Sequence, residues 1–116
     1  MEQIEFEESV IYPLIDAVDY ISGSVVMKSI LRKSSGNVTI VSFDSGEIMH
    51  SKSSPFDNLI QIVEGEAEVH IEEKSIRMEA GQIMIIPANV KNSIKAIIRF
   101  KMLSTIIKSG YEDVSI

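Results

Sequence analysis

The sequence predicts an all-β domain, a sandwich or barrel built from many short strands. Three observations carry this expectation. Clusters of Gly, Ser, Asn, Asp and Pro recur every eight to twelve residues from Ser24 onward. Between them, apolar and polar residues alternate with the period of two that half-buried strands require. Helical spacing of apolar residues appears only near the N-terminus. A chain of 116 residues with 45% apolar content can build one hydrophobic core, and no linker, repeat or low-complexity tract suggests a second domain.

The elements follow in chain order. Ile4 and Phe6 alternate with Glu5 and Glu7, a short strand signal. Pro13 opens a stretch with Leu14, Val18 and Ile21 at helical spacing, read as a short helix or turn that Ser22-Gly23-Ser24 stops. Residues 1–23 thus form a strand-plus-helix extension, 24–110 the barrel and 111–116 a polar tail. Val25 to Arg32 is rich in β-branched residues, and Ser34-Ser35-Gly36-Asn37 turns the chain. Val38, Ile40 and Ser42 alternate with Thr39, Val41 and Phe43, and Asp44-Ser45-Gly46 is the next turn. Ser51 to Pro55 is polar, a strand end or loop. Asn58 to Val63 is a strand, and Glu64-Gly65 reads as a tight hairpin. Ala67, Val69 and Ile71 alternate with Glu66, Glu68 and His70, which predicts one buried and one wet face. Glu72-Glu73-Lys74 turns the chain again, and Ser75 to Met78 returns. Ala80-Gly81 precedes the strand Gln82 to Ile86, which ends at Pro87. Ser93 to Ile98 and Phe100 to Ile107 complete the set.

The net charge of −6 is concentrated at one end. Residues 1 to 23 hold six acids and no Lys or Arg, whereas the rest of the chain has eleven of each sign. The acidity therefore belongs to the extension, whose apolar residues predict one buried face. Negative charge argues against nonspecific nucleic-acid binding. No cysteine means no disulfide framework and no thiolate chemistry. No apolar run approaches the roughly 20 residues of a membrane span, and the acidic start is the reverse of a signal peptide. The expectation is a cytoplasmic protein without membrane or nucleic-acid partners.

Glycines and prolines at fixed offsets then carry a resemblance. Gly46 and Gly65 have the separation of the end glycines in the first motif of the cupin superfamily. Gly81 and Pro87 have the spacing of its second motif, with Asn89 where that motif has a second glycine. Asn is the next-best residue for a left-handed backbone position, so the exchange is mild. Over residues 17 to 108 the chain resembles small single-domain bacterial cupins of the RmlC-like kind. The resemblance implies a double-stranded β-helix, or jelly-roll barrel, and a homodimer. Ile4, Phe6, Val10, Ile11 and Tyr12 add to the second expectation, since they are apolar enough to pair with a barrel edge in the same chain or in a partner.

Cupin metal ligands are His, His, Glu and His. Counting from Gly46, those positions hold Lys52, Ser54 and Asn58, and counting from Gly81 the last holds Asn92. Lys and Asn are poor transition-metal ligands, so no metal and no cofactor are expected. The resemblance implies that these four side chains still point into the barrel. One reading makes them a recognition cluster, with the Lys52 ammonium for a carboxylate or phosphate and the amides and hydroxyl for hydroxyls or carbonyls. The other makes them solvated residues at an open mouth. His50 stands two residues before Lys52, hence on the same face of an intact strand, as a general base or a rim residue. His70 reads as a surface residue.

Three functions stay open. The first is a binding module that holds a small polar or anionic organic ligand without metal. The second is a metal-free enzyme, isomerase- or lyase-like, with Lys52 or His50 in acid–base or Schiff-base work. The third is a degenerate cupin whose useful surface is its dimer.

Overall fold

The computed structural model describes residues 5–51 and 53–108. It contains seven strands: β1 (Val25–Lys33), β2 (Gly36–Phe43), β3 (Ile48–Ser51), β4 (Asn58–Ile71), β5 (Lys74–Glu79), β6 (Ile83–Ile86) and β7 (Asn92–Ile107). All pairings are antiparallel, in the order β1-β2-β7-β4-β5, with β3 added on β7 and β6 on β4. The strand signals of the sequence therefore become a jelly-roll barrel.

Its frame is the long pair β4–β7, which runs in register from Asn58 opposite Ile106 to Ile71 opposite Asn92. Register breaks at Glu64 and Glu66 bend the pair in the middle. One arm continues into β2, β1 and β6, the other into β3 and β5. The inner faces meet in a core of Val41, Phe43, Ile60, Ile62, Ala67, Val69, Met78, Ile86, Ile94, Ala96, Phe100 and Met102. Each large side chain in that core contributes about 1.5–3 kcal/mol of burial. Phe43 and Phe100, paired across β2 and β7, stack with centroids 4.3 Å apart.

Two strand-level expectations change at the bend. Glu64-Gly65 is no hairpin, because β4 runs through it unbroken. Gly65 adopts φ +84°, and a Cβ there would lie 2.1 Å from the Arg99 carbonyl oxygen. The glycine admits a close crossing of β7 and a bulge, not a reversal. For the same reason the two expected C-terminal strands are a single bent strand, with Arg99 at the corner.

The extension also differs from its expectation. Ile4 lies outside the described residues, and Glu5–Phe6 form a bend, not a strand. Phe6 instead packs edge-to-face on Tyr12, with centroids 5.1 Å apart. The helix shrinks to one 3-10 turn, Leu14–Asp16. Its carbonyls are claimed by the sheet: Lys101 Nζ donates to the Ile15 oxygen, and Ser42 Oγ donates to the Asp19 oxygen at 2.8 Å. The turn's own bonds run i to i−3, from the Asp16 amide to the Pro13 oxygen and from the Ala17 amide to the Leu14 oxygen, both at 3.1 Å. Ala17, Val18 and Phe6 cover the outer face of the β1-β2-β7-β4 arm at Val26, Ile30, Ile40, Val63 and Leu103. The buried face expected of the extension thus lies on its own chain. Both faces of β2 are consequently buried from Ile40 to Phe43.

Candidate ligand site at the barrel mouth

Asn58 opens β4. It shares a face with Ile60 and Ile62, both in the core, so it points inward. Ser104 shares a face with Phe100 and Met102 for the same reason. Inside the barrel Ser104 Oγ donates to Asn58 Oδ1 at 2.7 Å. Among the described residues nothing accepts from the Asn58 amide nitrogen, which leaves two donors for the mouth. Asn92 opens β7 on the face of Ile94, with Ile71 as its inner neighbour on β4. Its Nδ2 donates to the Val90 oxygen at 3.3 Å.

Asn58 and Asn92 both lie at the arm ends away from the Gly65 corner. The loops before them are tied together. The Asn89 amide donates to the Ser54 carbonyl at 2.6 Å, and the Ala88 amide donates to Asp57 Oδ1 at 2.8 Å. Asn89 has φ +63°, the left-handed conformation its motif position requires. Ser54 Oγ accepts from the Phe56 amide at 3.2 Å and so stiffens its own loop. The loop that carries Ser54 and leads into Asn58 is thus joined to the loop that leads into Asn92. Lys52 lies outside the described residues.

His50 takes the outer face of β3. Met49 packs against the core, so His50 faces outward and is exposed. It stands in register with Ser93, and Ser93 with His70, in one outer row across β3, β7 and β4. At this point of β3 the inward face belongs to its neighbour Met49. His50, His70, Glu72, Lys91, Asn92 and Ser93 line a shallow cleft of about 210 Å³. His70 donates to Glu68 Oε1 at 2.9 Å and is a half-exposed strand residue.

Three of the four positions that motif spacing assigns to cupin metal ligands lie among the described residues. The described ones offer a hydroxyl and two carboxamides, and Asn58 Oδ1 is already engaged. Among the described residues no three His, Cys, Asp or Glu side chains cluster as a ligand set.

Sequence reasoning missed Ser104, although the alternation Phe100, Met102, Ser104 places it inward. It also missed a polar cluster on the outer face. Tyr20 Oη donates to Glu64 Oε2 at 2.7 Å, and Lys101 Nζ lies 3.7 Å from that oxygen. Lys101 is 6% exposed. Arg99 stacks over the Tyr20 ring at 4.2 Å and reaches Asp44 at 3.7 Å. Burial, then the hydrogen bond and charge of Glu64, push the Tyr20 hydroxyl above its ordinary range. These groups clasp the extension to the barrel and lie away from the mouth.

A family model described as ethanolamine utilisation protein EutQ matches residues 35–105. The chain belongs to the EutQ family. The match takes in Ser54, Asn58, Asn89, Asn92 and Ser104 and leaves out the extension. Solved structures similar to this EutQ-family chain share the cupin fold. A conserved protein of unknown function from Streptococcus pyogenes has a TM-score of 0.86 at 25% identity, over 95% of this chain and 97% of that one. A cupin superfamily protein from Desulfitobacterium hafniense has 0.84 at 21% identity, over 90% and 96%. A cupin 2 conserved barrel domain protein from Leptotrichia buccalis has 0.80 at 28% identity, over 84% of this chain and 47% of that one. No curated protein matches the chain.

Proposed function

We propose that this EutQ-family cupin holds a small polar or anionic organic ligand at the barrel mouth without a metal. The observation that carries the reading is the inward Asn58–Ser104 hydrogen bond. It orients a carboxamide so that its donors face the opening, where Asn92 and Ser54 stand on the adjoining elements. A site of a few fixed polar groups above an apolar floor is what small-molecule recognition uses. Lys52 supplies the cation for an anionic group in this reading. The family's association with ethanolamine utilisation supports a small polar ligand and leaves its charge to the test.

The test is a thermal-shift and calorimetric panel of acetate, glycolate, inorganic phosphate and ethanolamine. Saturable stabilisation by an anionic member, lost in Asn58→Leu and in Lys52→Met, supports the reading. No stabilisation by any member sinks it.

One observation favours a second property, a homodimer. Among the described residues strand β6 pairs only with β4, and its exposed side chains are Ile83 (64%) and Ile85 (62%). An uncharged apolar edge of this kind invites pairing with a second copy. Sedimentation of the protein and of Ile85→Lys tests it, with a monomer expected only for the variant.

A further inference from the structure

A larger cleft lies outside the barrel, between the extension and β1. It has a volume of about 400 Å³, within the range of small-molecule sites. Phe6, Val10 and Leu14 of the extension and Ile30 and Leu31 of β1 form its apolar walls, and the exposed acids Glu7 and Glu8 also line it. Among the described residues no cation pairs with either carboxylate, and Lys28 is held by Glu5 at 3.7 Å.

The cleft is built rather than incidental. Its loop wall is closed on itself, because the Glu7 amide donates to the Tyr12 hydroxyl at 3.0 Å and the Tyr12 ring packs on Phe6. At the tip of that loop Ser9 takes φ +65°, a conformation that costs a non-glycine residue energy. Its sheet wall carries a β-bulge, since the β1–β2 register slips between Ser29 and Leu31. A bulge re-aims side chains, and here it brings both Ile30 and Leu31 to the cleft. Two departures from regular backbone meet at one amphipathic cavity. None of the lining residues falls in the stretch that the family model matches, and none is shared with the barrel mouth.

We infer that this cleft binds a small hydrophobic cation, a primary amine on an apolar body. The apolar body lies against Phe6, Val10, Leu14, Ile30 and Leu31. The ammonium meets Glu7 and Glu8, two exposed carboxylates that attract a cation and repel an anion. A neutral molecule of equal size gains the apolar contact alone. A cation without an apolar body, ethanolamine for example, gains only a screened surface charge. The site is thus separate in place and in chemistry from the proposed mouth site.

The experiment is a titration of the full chain, isotope-labelled for amide NMR, with 2-phenylethylamine, 2-phenylethanol and ethanolamine. The amine is expected to give saturable shifts at Phe6, Glu8, Val10, Ile30 and Leu31, with affinity about three- to fivefold above that of the alcohol at low salt. Raising salt from about 20 mM to about 500 mM should erase most of that margin. Glu7→Gln/Glu8→Gln should bring amine and alcohol level, and Leu31→Arg, at an exposed position, should remove amine binding from a folded protein. Equal affinity for amine and alcohol overturns the inference. So do shifts confined to Asn58 and Asn92, or a cleft that only a second copy fills, seen as loss of dimer in Leu31→Arg with no response to the amine. Anion binding at the mouth is read from other amides, so either site can fail without the other.

Discussion

Gly65 of β4 passes so close to Phe100 of β7 that a Cβ at Gly65 would lie 2.7 Å from the Phe100 Cα. That crossing bends the central strand pair and lets Phe100 stack on Phe43. Gly65→Ala meets both a left-handed φ and backbone atoms that cannot move aside. It should cost about 3 kcal/mol or more. Gly46→Ala has a similar φ of +80° but nothing within 4 Å, and should cost only about 1 kcal/mol. Denaturant melts of the two variants check the contrast. Similar losses would mean that φ alone explains Gly65.

The Tyr20–Glu64 hydrogen bond predicts an alkaline limit to stability. The hydroxyl is raised in the folded protein by burial and by Glu64, so the neutral form is favoured when folded. Its stabilising effect is complete below the unfolded value of about 10 and falls as pH rises above it. Between pH 9 and 11 the native protein should lose more stability than Tyr20→Phe does, measured by thermal melts. Parallel losses would remove Tyr20 from the account.

An acid limit comes from Asp44. The Gly23 and Ser45 backbone amides hold its carboxyl below the usual carboxylate value. That stabilisation is present above about pH 4 and fades as pH falls further. Asp44→Asn should flatten the melting profile between pH 5 and 2.5. An unchanged slope would show that the Gly23 contact adds nothing.

Removing one partner of the Asn58–Ser104 pair should be asymmetric. Asn58→Ala leaves the buried Ser104 hydroxyl without its acceptor and should cost about 1–3 kcal/mol. Ser104→Ala leaves Asn58 at the wet mouth and should cost about 1 kcal/mol. Calorimetric melts of both single variants and the double variant give the coupling. A coupling of zero would show that the pair is not formed in solution.

Asn89 should accept glycine and reject a branched residue. Its φ of +63° is open to Gly but costs Val about 1–2 kcal/mol. Asn89→Gly should keep the melting temperature and any ligand response, whereas Asn89→Val should lower both by loosening the tie to Ser54. Equal behaviour would mean that the loop tie does not depend on this conformation.

Most strands were legible because alternation reports a local fact, which side of a strand is wet. Ala67, Val69 and Ile71 against Glu66, Glu68 and His70 needed no partner to be read, and Asn89 showed its backbone conformation by standing where the resembled motif has a glycine. Gly65 was misread because glycine signals permission for an unusual φ, not what occupies the space its side chain vacates. Asn58 and Asn92 were expected to point inward from their motif positions, and in the structure they share faces with the core residues Ile60 and Ile94. His50 was placed on the wrong side because nothing local says whether Met49 or His50 faces the core.

By itself, then, the sequence determined most of the strands and turns, the left-handed Asn89 and an acidic extension with apolar content. These follow from backbone sterics and side-chain periodicity within a few residues. Only the tertiary structure decided that β4 and β7 are continuous and bent, and that Ile15 and Asp19 yield their carbonyls to Lys101 and Ser42. It also decided that the extension, with Phe6 and Val18 against Ile40, leaves a cleft beside β1. Each of those depends on which distant surface a segment meets, and burial energy is shared between partners that no single stretch of sequence contains.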